Sequence, residues 1–584
     1  MPGAISRTIV RPSFPKDVPP LPEAGGLHPV LARVFRRRGV RSLRELDYSL
    51  RNLAPVEALK GIERAVSVLE ESLQKGHSVL IVGDFDADGA TSTALAVRAL
   101  RGMGAARVEY LVPNRFEYGY GLTPEIVAVA ARRKPDLIVT VDNGISSIAG
   151  VEAARAEGIP VLITDHHLPG ERLPEAAAIV NPNQPGDRFP SKNLAGVGVI
   201  FYLMLALRAR LRETGWFASR GLDEPNLAEL LDLVALGTVA DVVPLDYNNR
   251  ILVAQGLARI RGGHCCAGIE ALVEVAGRRQ GELVASDLGF AIGPRLNAAG
   301  RLEDMSLGIE CLLADSPEEA RPLAERLDEL NRERRAIEGE MKEEALAIVE
   351  ALHMDEEADL PLGLCLYGEK WHQGVIGILA SRIKERLHRP VIAFAPGDGD
   401  ELKGSARSVP GLHIRDALDA VAARHPELLR RFGGHAMAAG VTLHRDALEP
   451  FRRAFDEEVR RHLAETDLCG WIHSDGELSS EELNLELAEA IRCNGPWGQG
   501  FPEPLFDGVF EVVQRRVVGE RHLKMVLRMP RHEEHFDAIA FNTLDCDWSP
   551  DVEQVQAAYR LEVNEFRGRR SLQLVLEYVT PFRG

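Results

Sequence analysis

The chain has 584 residues, 45% of them hydrophobic and 27% charged, with a formal net charge of −18; that length suits about three or four domains, and the composition excludes wholesale disorder. Arg, Glu or Lys interrupts every apolar stretch, which excludes a membrane-spanning helix, and the first residues carry Arg7, Arg11, Pro12 and Pro15 in place of a secretory signal core. Seven scattered cysteines without a C-x-x-C pair fit a reduced, cytoplasmic setting with no zinc ribbon or disulfide framework, and the acidic balance leaves nucleic-acid binding only to local basic grooves.

After an N-terminal extension over residues 1–57, strand-like and helix-like runs alternate. The strand-like runs are His77–Phe85, Arg107–Pro113, Asp136–Asp142, Pro160–Asp165 and Ala177–Asn181; the helix-like runs are Ala90–Arg101, Thr123–Arg133, Ser147–Glu157 and Val197–Thr214. This alternation predicts an α/β domain over residues 58–314, a parallel sheet covered by helices. Ligands of such sheets bind beyond the carboxyl ends of the strands, at a topological switch point. Leu323, Leu327, Leu330, Ile337, Met341 and Leu346 recur at helical spacing and predict one long linking helix over residues 315–352. A second α/β domain is predicted over residues 353–465, with strands at Gly363–Tyr367 and Pro390–Phe394 and a helix at Gly374–Leu387. Residues 466–584 turn β-rich, with runs at Phe506–Val518, Leu523–Met529, Phe536–Phe541, Gln556–Asn564 and Ser571–Val579, the pattern of a small barrel or sandwich.

Asp84, Asp86 and Asp88 occupy alternate residues after Val79–Val82, with Gly89 closing the stretch. In an extended chain they point to one face, where carboxylates repel unless a cation lies among them. The block contains no Lys or Arg, so a hard divalent metal is the simplest explanation. An EF-hand loop fails, because its twelfth position is Leu95 and a strand precedes it. For this block alone, a solvated acidic turn remains the alternative. Asp142 follows the run Leu137–Val141, and Asp165-His166-His167 follows Pro160–Thr164. Adjacent histidines on a strand point to opposite faces, so one can bind metal while the other meets substrate. With Asp241 the set mixes carboxylate and imidazole, which suits manganese or magnesium better than a thiolate-seeking metal. Two such ions together can clamp the attacking and leaving oxygens of phosphoester hydrolysis.

The blocks GDFDADG, TVDNGIS, TDHH and GTVADVVPL resemble, in order, the four motifs of the DHH phosphoesterase superfamily. PNRFEYGYGL (Pro113–Leu122), GPRLNAAGRL (Gly293–Leu302), WHQGVIGI (Trp371–Ile378) and RFGGHAMAAG (Arg431–Gly440) are similar to blocks of its bacterial single-strand-specific 5′→3′ DNA exonucleases. The similarity runs from about Ala58 to the C-terminus. It implies a DHH domain and a DHH-associated domain, both α/β, joined by the long helix, with an OB-like β-barrel after them. It also implies that Asp86, Asp88, Asp142, His166 and Asp241 hold a pair of Mn2+ or Mg2+ ions, with Asp142 placed to bridge. Asp84 then coordinates or supports, and His167 faces substrate. Gly433, Gly434 and His435 become phosphate contacts, and His372 a substrate contact. Phe85 stands where Tyr is frequent and Tyr118 where an acid is expected, and neither removes a ligand. The implied substrate is single-stranded DNA, taken into a cleft between the α/β domains that admits one strand but not a duplex. The implied role is recombination and repair, beside a single-stranded-DNA-binding protein and a RecQ-like helicase.

Three further groups have two readings each. Arg295 and Arg301 can bind phosphate bidentately with Asn297 adding a hydrogen bond, or the arginines pair with acids such as Glu303 and Asp304; the resemblance favours phosphate. Arg407 and Ser408, at the end of Lys403–Ser408, can hold a terminal 5′-phosphate or simply cap a strand edge. Arg567-Gly568-Arg569-Arg570 beside Phe566 suits single-strand contact on an OB-fold, or is a solvated hairpin turn.

Overall fold

The computed structural model describes residues 7–21, 26–113, 121–353, 360–464, 468, 470–519, 522–541, 552–566 and 568–582. Most of PNRFEYGYGL, including Tyr118, lies outside the described residues, as do Cys469, Cys546 and Arg567. Contacts divide the chain into two compact units, Arg11–Asn331 with Ser474–Gly584, and Met1–Val10 with Arg332–His473.

The first unit is built on a five-stranded sheet. In chain order its elements are β1 (Ser78–Val82), helix α1 (Ala87–Gly102), β2 (Arg107–Leu111), β3 (Leu137–Val141), β4 (Val161–Thr164) and β5 (Ala178–Val180). The strand order is β2-β1-β3-β4-β5, parallel throughout. Both faces are covered at the centre, which is why β1, β3 and β4 read as mainly apolar runs, whereas the edge strand β2 carries Arg107 and Glu109. Val79 and Ile81 enter a core shared with α1 and with α2 (Gly196–Glu213), whereas Leu80 and Val82 enter a second core with helices Pro124–Ala131 and Ile148–Ala156. The chain goes from β1 outward to β2 and returns across β1 to β3. The switch point therefore lies between the carboxyl ends of β1 and β3.

Helix α3 (Leu231–Ala240) packs on α1 and on α4 (Gly293–Leu302). A five-residue π-helical segment, Leu288–Ile292, leads directly into α4. The long helix α5 (Pro317–His353) has 37 residues, and its first turns belong to one unit and its remainder to the other. In the second unit the strands are β6 (Leu364–Tyr367), β7 (Val391–Pro396), β8 (Glu401–Arg407), β9 (Arg431–Gly434) and β10 (Ala438–His444), in the order β9-β10-β8-β7-β6. Helix α6 (Ile376–Leu387) packs on β7 and β8. Trp371 donates its indole N–H to Glu344 of α5 at 2.8 Å, fastening this half of the helix to the sheet. Arg7–Val10 pairs in parallel with Gly470–His473, so part of the N-terminal extension completes this unit.

The C-terminal strands close into a barrel: β11 (Phe506–Val518), β12 (His522–Arg528), β13 (His535–Ala540), β14 (Gln554–Phe566) and β15 (Arg569–Pro581), in the order β11-β12-β13-β15-β14. It shares a core with the first sheet's helices. Phe35, Trp497 and Phe501 stack with centroids 5.3–6.0 Å apart, and the Arg250 guanidinium lies 4.2 Å from the Phe501 ring centroid. Leu245 donates its backbone N–H to Gln499 at 2.7 Å, fixing the chain four residues beyond Asp241. Among the described residues, no helix is long and apolar enough to cross a membrane.

Candidate metal centre

β1 ends at Val82, and the backbone leaves the extended conformation before the acids complete their alternation. Asp86 becomes the N-cap of α1, accepting from Gly89 N at 2.9 Å, and Asp88 falls in the first helical turn. The three acids thus do not share one extended face, as the alternation predicts; they divide. Asp84 and Asp86 group with Asp142, while Asp88 groups with His166 and Asp241, each set with ligand atoms within 4.8 Å of one another. The histidines differ from expectation for the same reason. β4 ends at Thr164, so His166 and His167 lie beyond the strand with ring centroids 4.4 Å apart, and both join Asp142 in a third group. Asp241 is the C-cap of α3.

Asp142 belongs to two of these groups and His166 to two. His166 Nε2 is 3.1 Å from Asp142 Oδ1, 3.5 Å from Asp241 Oδ2 and 3.9 Å from Asp88 Oδ2. His166 Nε2 and Asp241 Oδ2 are nevertheless buried without a hydrogen-bond partner among the described residues. Buried polar atoms are seldom left unsatisfied, so lone pairs converging at these distances fit a hard divalent cation, for which oxygen and imidazole ligands are the matching chemistry.

The backbone prepares this arrangement. Asp142 is at φ 61°, a left-handed conformation that Asp tolerates better than most residues. The N-terminus of α2 holds Asp88 through Gly196 N to Oδ2 at 2.6 Å and Val197 N to Oδ1 at 2.9 Å. Asn143 joins the two strand ends, donating to Val82 O at 3.0 Å and Val141 O at 2.9 Å. Asp165 is a positioning residue: Oδ1 accepts from His166 N, His167 N and His167 Nδ1, and Oδ2 accepts from Ile145 N. Sequence reasoning placed Asp165 only in the strand-end set with the two histidines, without a positioning role, and assigned Asn143 and Gly196 no role. The one available signal was the position of Asp165 before two histidines, since a His ring needs a fixed partner on its other nitrogen.

Electrostatics separates the residues by role. Burial, then the charge of Asp86, raises Asp88 to about 7. Burial and the surrounding carboxylates raise Asp142 and Asp241 well above the ordinary range. Burial and the neighbouring His167 lower His166 to about 4, leaving the neutral imidazole a metal needs. Burial opposes charge on His167, but the hydrogen bond and charge of Asp165 outweigh it and raise His167 to about 9.

These shifts set the sign of a measurable effect. In the unfolded chain the acids titrate near ~3.9, so between that value and their raised folded values the folded state holds protons the unfolded state has lost. Their stabilisation is complete below the unfolded pKa and is lost as pH rises through the raised folded values, about 7 for Asp88. A divalent cation replaces those protons. The gap between melting temperatures in Mn2+ and in EDTA is therefore expected to widen from about pH 5 to pH 8. A gap that stays constant or narrows over that window contradicts the assignment.

The other predicted residues are placed as follows. Asn297 Oδ1 accepts from Ala87 N at 2.8 Å, and Gly300 lets α4 lie so close that a Cβ there would be 1.8 Å from Phe85 O. These two residues of α4 thus brace the acidic loop. Arg295 is buried, pairing with Asp328 of α5 at 2.8 Å and donating to Ala291 O at 2.5 Å; this is the paired-arginine reading, with a different acid. Arg301 is half-buried in the last turn of α4. In the second unit, His372 Nδ1 accepts from Gly374 N at 3.1 Å just before α6. Ser408 is buried, its hydroxyl donating to Leu412 O at 2.7 Å. Arg407 donates to Ser405 Oγ at 3.0 Å and Ala406 O at 2.8 Å, with no acidic partner among the described residues, and burial lowers its pKa. Gly433 and Gly434 end β9, paired with Gly440 and Ala439 of β10, and exposed His435 opens the turn between the strands, with Gly434 at φ 147°. In the barrel, Arg570 pairs with Glu489 at 3.0 Å.

Comparison with known proteins adds independent findings. Residues 78–238 match the DHH family, N-terminal domain; residues 361–461 match the DHHA1 domain; and residues 474–578 match the RecJ OB domain. The chain is 58% identical over 573 residues to the single-stranded-DNA-specific exonuclease RecJ of Dickeya dadantii, covering 98% of each chain. It is 57% identical to the Escherichia coli protein of that name, covering 95% of this chain and 96% of the other. The crystal structure of RecJ in complex with Mn2+ from Thermus thermophilus matches 96% of this chain and 76% of that one, with a TM-score of 0.79 and 32% identity. A second structure from that organism, in complex with Mg2+, matches with a TM-score of 0.73 and 30% identity.

Proposed function

The chain belongs to the RecJ family of single-stranded-DNA-specific exonucleases, and from that premise we propose that it hydrolyses single-stranded DNA from the 5′ end, releasing mononucleotides. The observation that carries the chemistry is the sharing of Asp142 between a carboxylate group, with Asp84 and Asp86, and a histidine group, with His166 and His167, which supports a pair of divalent cations, Mn2+ or Mg2+. When bound, such a pair supplies Lewis-acid polarisation and a nucleophile at neutral pH for in-line attack on phosphorus.

The protein's own residues do the rest. Asp86, Asp88, Asp142, His166 and Asp241 are the proposed ligands, with Asp84 beside them. His166, buried and neutral, has its Nε2 directed at the carboxylates. His167, fixed by Asp165 in its charged form, is suited to donate to a phosphoryl oxygen as negative charge builds there. Asn297 and Arg295 act through the placement of α4. In the second unit, Arg407, whose desolvated guanidinium has no acidic partner among the described residues, is the group we assign to a phosphate of the strand. Gly433 and Gly434 at the end of β9, followed by exposed His435, offer close backbone approach for another. The barrel, matching an OB domain, grips the incoming strand. Recombination and repair in the cytoplasm, with a single-stranded-DNA-binding protein and a RecQ-like helicase as partners, is the role that fits this activity.

The deciding assay offers a 5′-labelled single strand, a 3′-labelled single strand and a blunt duplex, each with Mn2+, Mg2+ or EDTA. Early release of the 5′ label as mononucleotide, from the single strand only and abolished by EDTA, is the expected result. Survival of long strands alongside cleavage of dinucleotides would overturn it.

A further inference from the structure

Phe290, Leu168 and Val242 are the three most exposed large apolar side chains among the described residues, at 79%, 62% and 62%. Exposed apolar residues scattered singly need no explanation. Two of these, however, directly follow residues of the metal centre, Leu168 after His167 and Val242 after Asp241. Packing carries the third to the same neighbourhood. Phe290 sits within the π-helical segment Leu288–Ile292, a conformation that is rare and concentrates at functional sites. On both sides of it the backbone presses on the end of α3: a Cβ on Gly289 would lie 3.2 Å from Val239 Cγ1, and one on Gly293 would lie 3.0 Å from Ala240 Cβ. Val239 and Ala240 are the last residues of α3 before Asp241. Val242 is itself held at φ 62°, a conformation that costs a β-branched residue free energy. A π turn, a strained valine and the most exposed aromatic ring thus gather beside one acidic centre, where charge alone would favour polar neighbours.

A nucleotide at such a centre has two unlike parts, a phosphate for the charged groups and a base whose faces are apolar. In a single strand those faces are free; in a duplex they are stacked and the base edges paired. We propose that Phe290 stacks on a nucleobase adjoining the scissile phosphate, with Val242 and Leu168 completing an apolar rim, and that this contact favours single strands. The inference rests on the single-strand hydrolase reading above and adds a specificity-determining residue to it.

The test uses the full chain with Mn2+ and two single strands, one ordinary and one carrying an abasic unit at the 5′-terminal nucleotide or the next. Wild type, Phe290→Ala and Phe290→Tyr are compared. Removing the base is expected to lower wild-type kcat/KM by roughly tenfold to a hundredfold, chiefly through KM. Phe290→Ala is expected to lose a similar factor on the ordinary strand and nothing further on the abasic one. Phe290→Tyr is expected to restore the discrimination. The inference is overturned if Phe290→Ala degrades the ordinary strand within twofold of wild type, or discriminates the abasic strand as wild type does. If wild type shortens neither strand, the hydrolase reading and this inference fall together, which distinguishes that failure from failure of the stacking contact alone.

Discussion

Asp142→Asn is expected to reduce hydrolysis by roughly a thousandfold or more while leaving the metal-free protein at least as stable as wild type. The two halves of that expectation have one cause. Asp142 is buried, belongs to two of the three ligand groups, and is surrounded by Asp84, Asp86, Asp88 and Asp241. Without a cation its charge is a liability, since it is desolvated and repelled. With cations it is the ligand we propose both to share, so its loss is expected to disable both. Asn is the informative replacement because it keeps the shape and tolerates the φ of 61° that Asp142 adopts; Ala would add backbone strain to the loss of a ligand. Two readouts check the assignment, strand degradation and the rise in melting temperature on adding Mn2+. Both should collapse in Asp142→Asn, and the melting temperature in EDTA should hold or rise. Activity within tenfold of wild type would sink the shared-ligand role.

Much of this centre is legible in the sequence because strand-end chemistry is local. The apolar runs before Asp84, Asp142 and Asp165 are unbroken, since both sheet faces are buried, and each run ends one or two residues before its acid. What periodicity could not supply is where the chain stops being extended. The alternation of Asp84, Asp86 and Asp88 mimics a strand, yet Asp86 caps a helix, and the acids therefore divide between two groups. The pairing of Arg295 with Asp328 was equally hidden, because it depends on α5 lying against α4, a contact 33 residues apart in sequence. The residues that only position others were least visible. Asn143 acts through backbone hydrogen bonds, Asp165 through backbone N–H groups and the His167 ring, and Gly196 through the absence of a side chain.

Gly196→Ala is expected to be the most damaging change at a residue that touches no substrate. A Cβ at Gly196 would lie 2.6 Å from Asp142 Cβ, 2.7 Å from Oδ1 and 2.9 Å from Cα. The side-chain oxygen could swing aside, but Cα is backbone, held in a left-handed conformation at the end of β3. Relief therefore requires the start of α2 to withdraw, and that start supplies both N–H groups that hold Asp88. One methyl group thereby displaces ligands of two groups at once. Overpacking of this kind costs about 1–3 kcal/mol of stability, and a shift on the order of 1 Å in catalytic groups costs about a hundredfold in rate. The expected outcome is a loss of about that size in kcat/KM, with more Mn2+ needed for half-maximal activity. Gly198→Ala, two residues along the same helix, is the control. The three atoms nearest its Cβ would all belong to the Leu194 side chain, the nearest being Cδ2 at 3.0 Å, and that side chain can move. If the two substitutions have equal effects, the loss is a property of the helix and not of the contact with Asp142. If Gly196→Ala loses a hundredfold and Gly198→Ala only a few-fold, the helix start is the support on which the shared carboxylate depends.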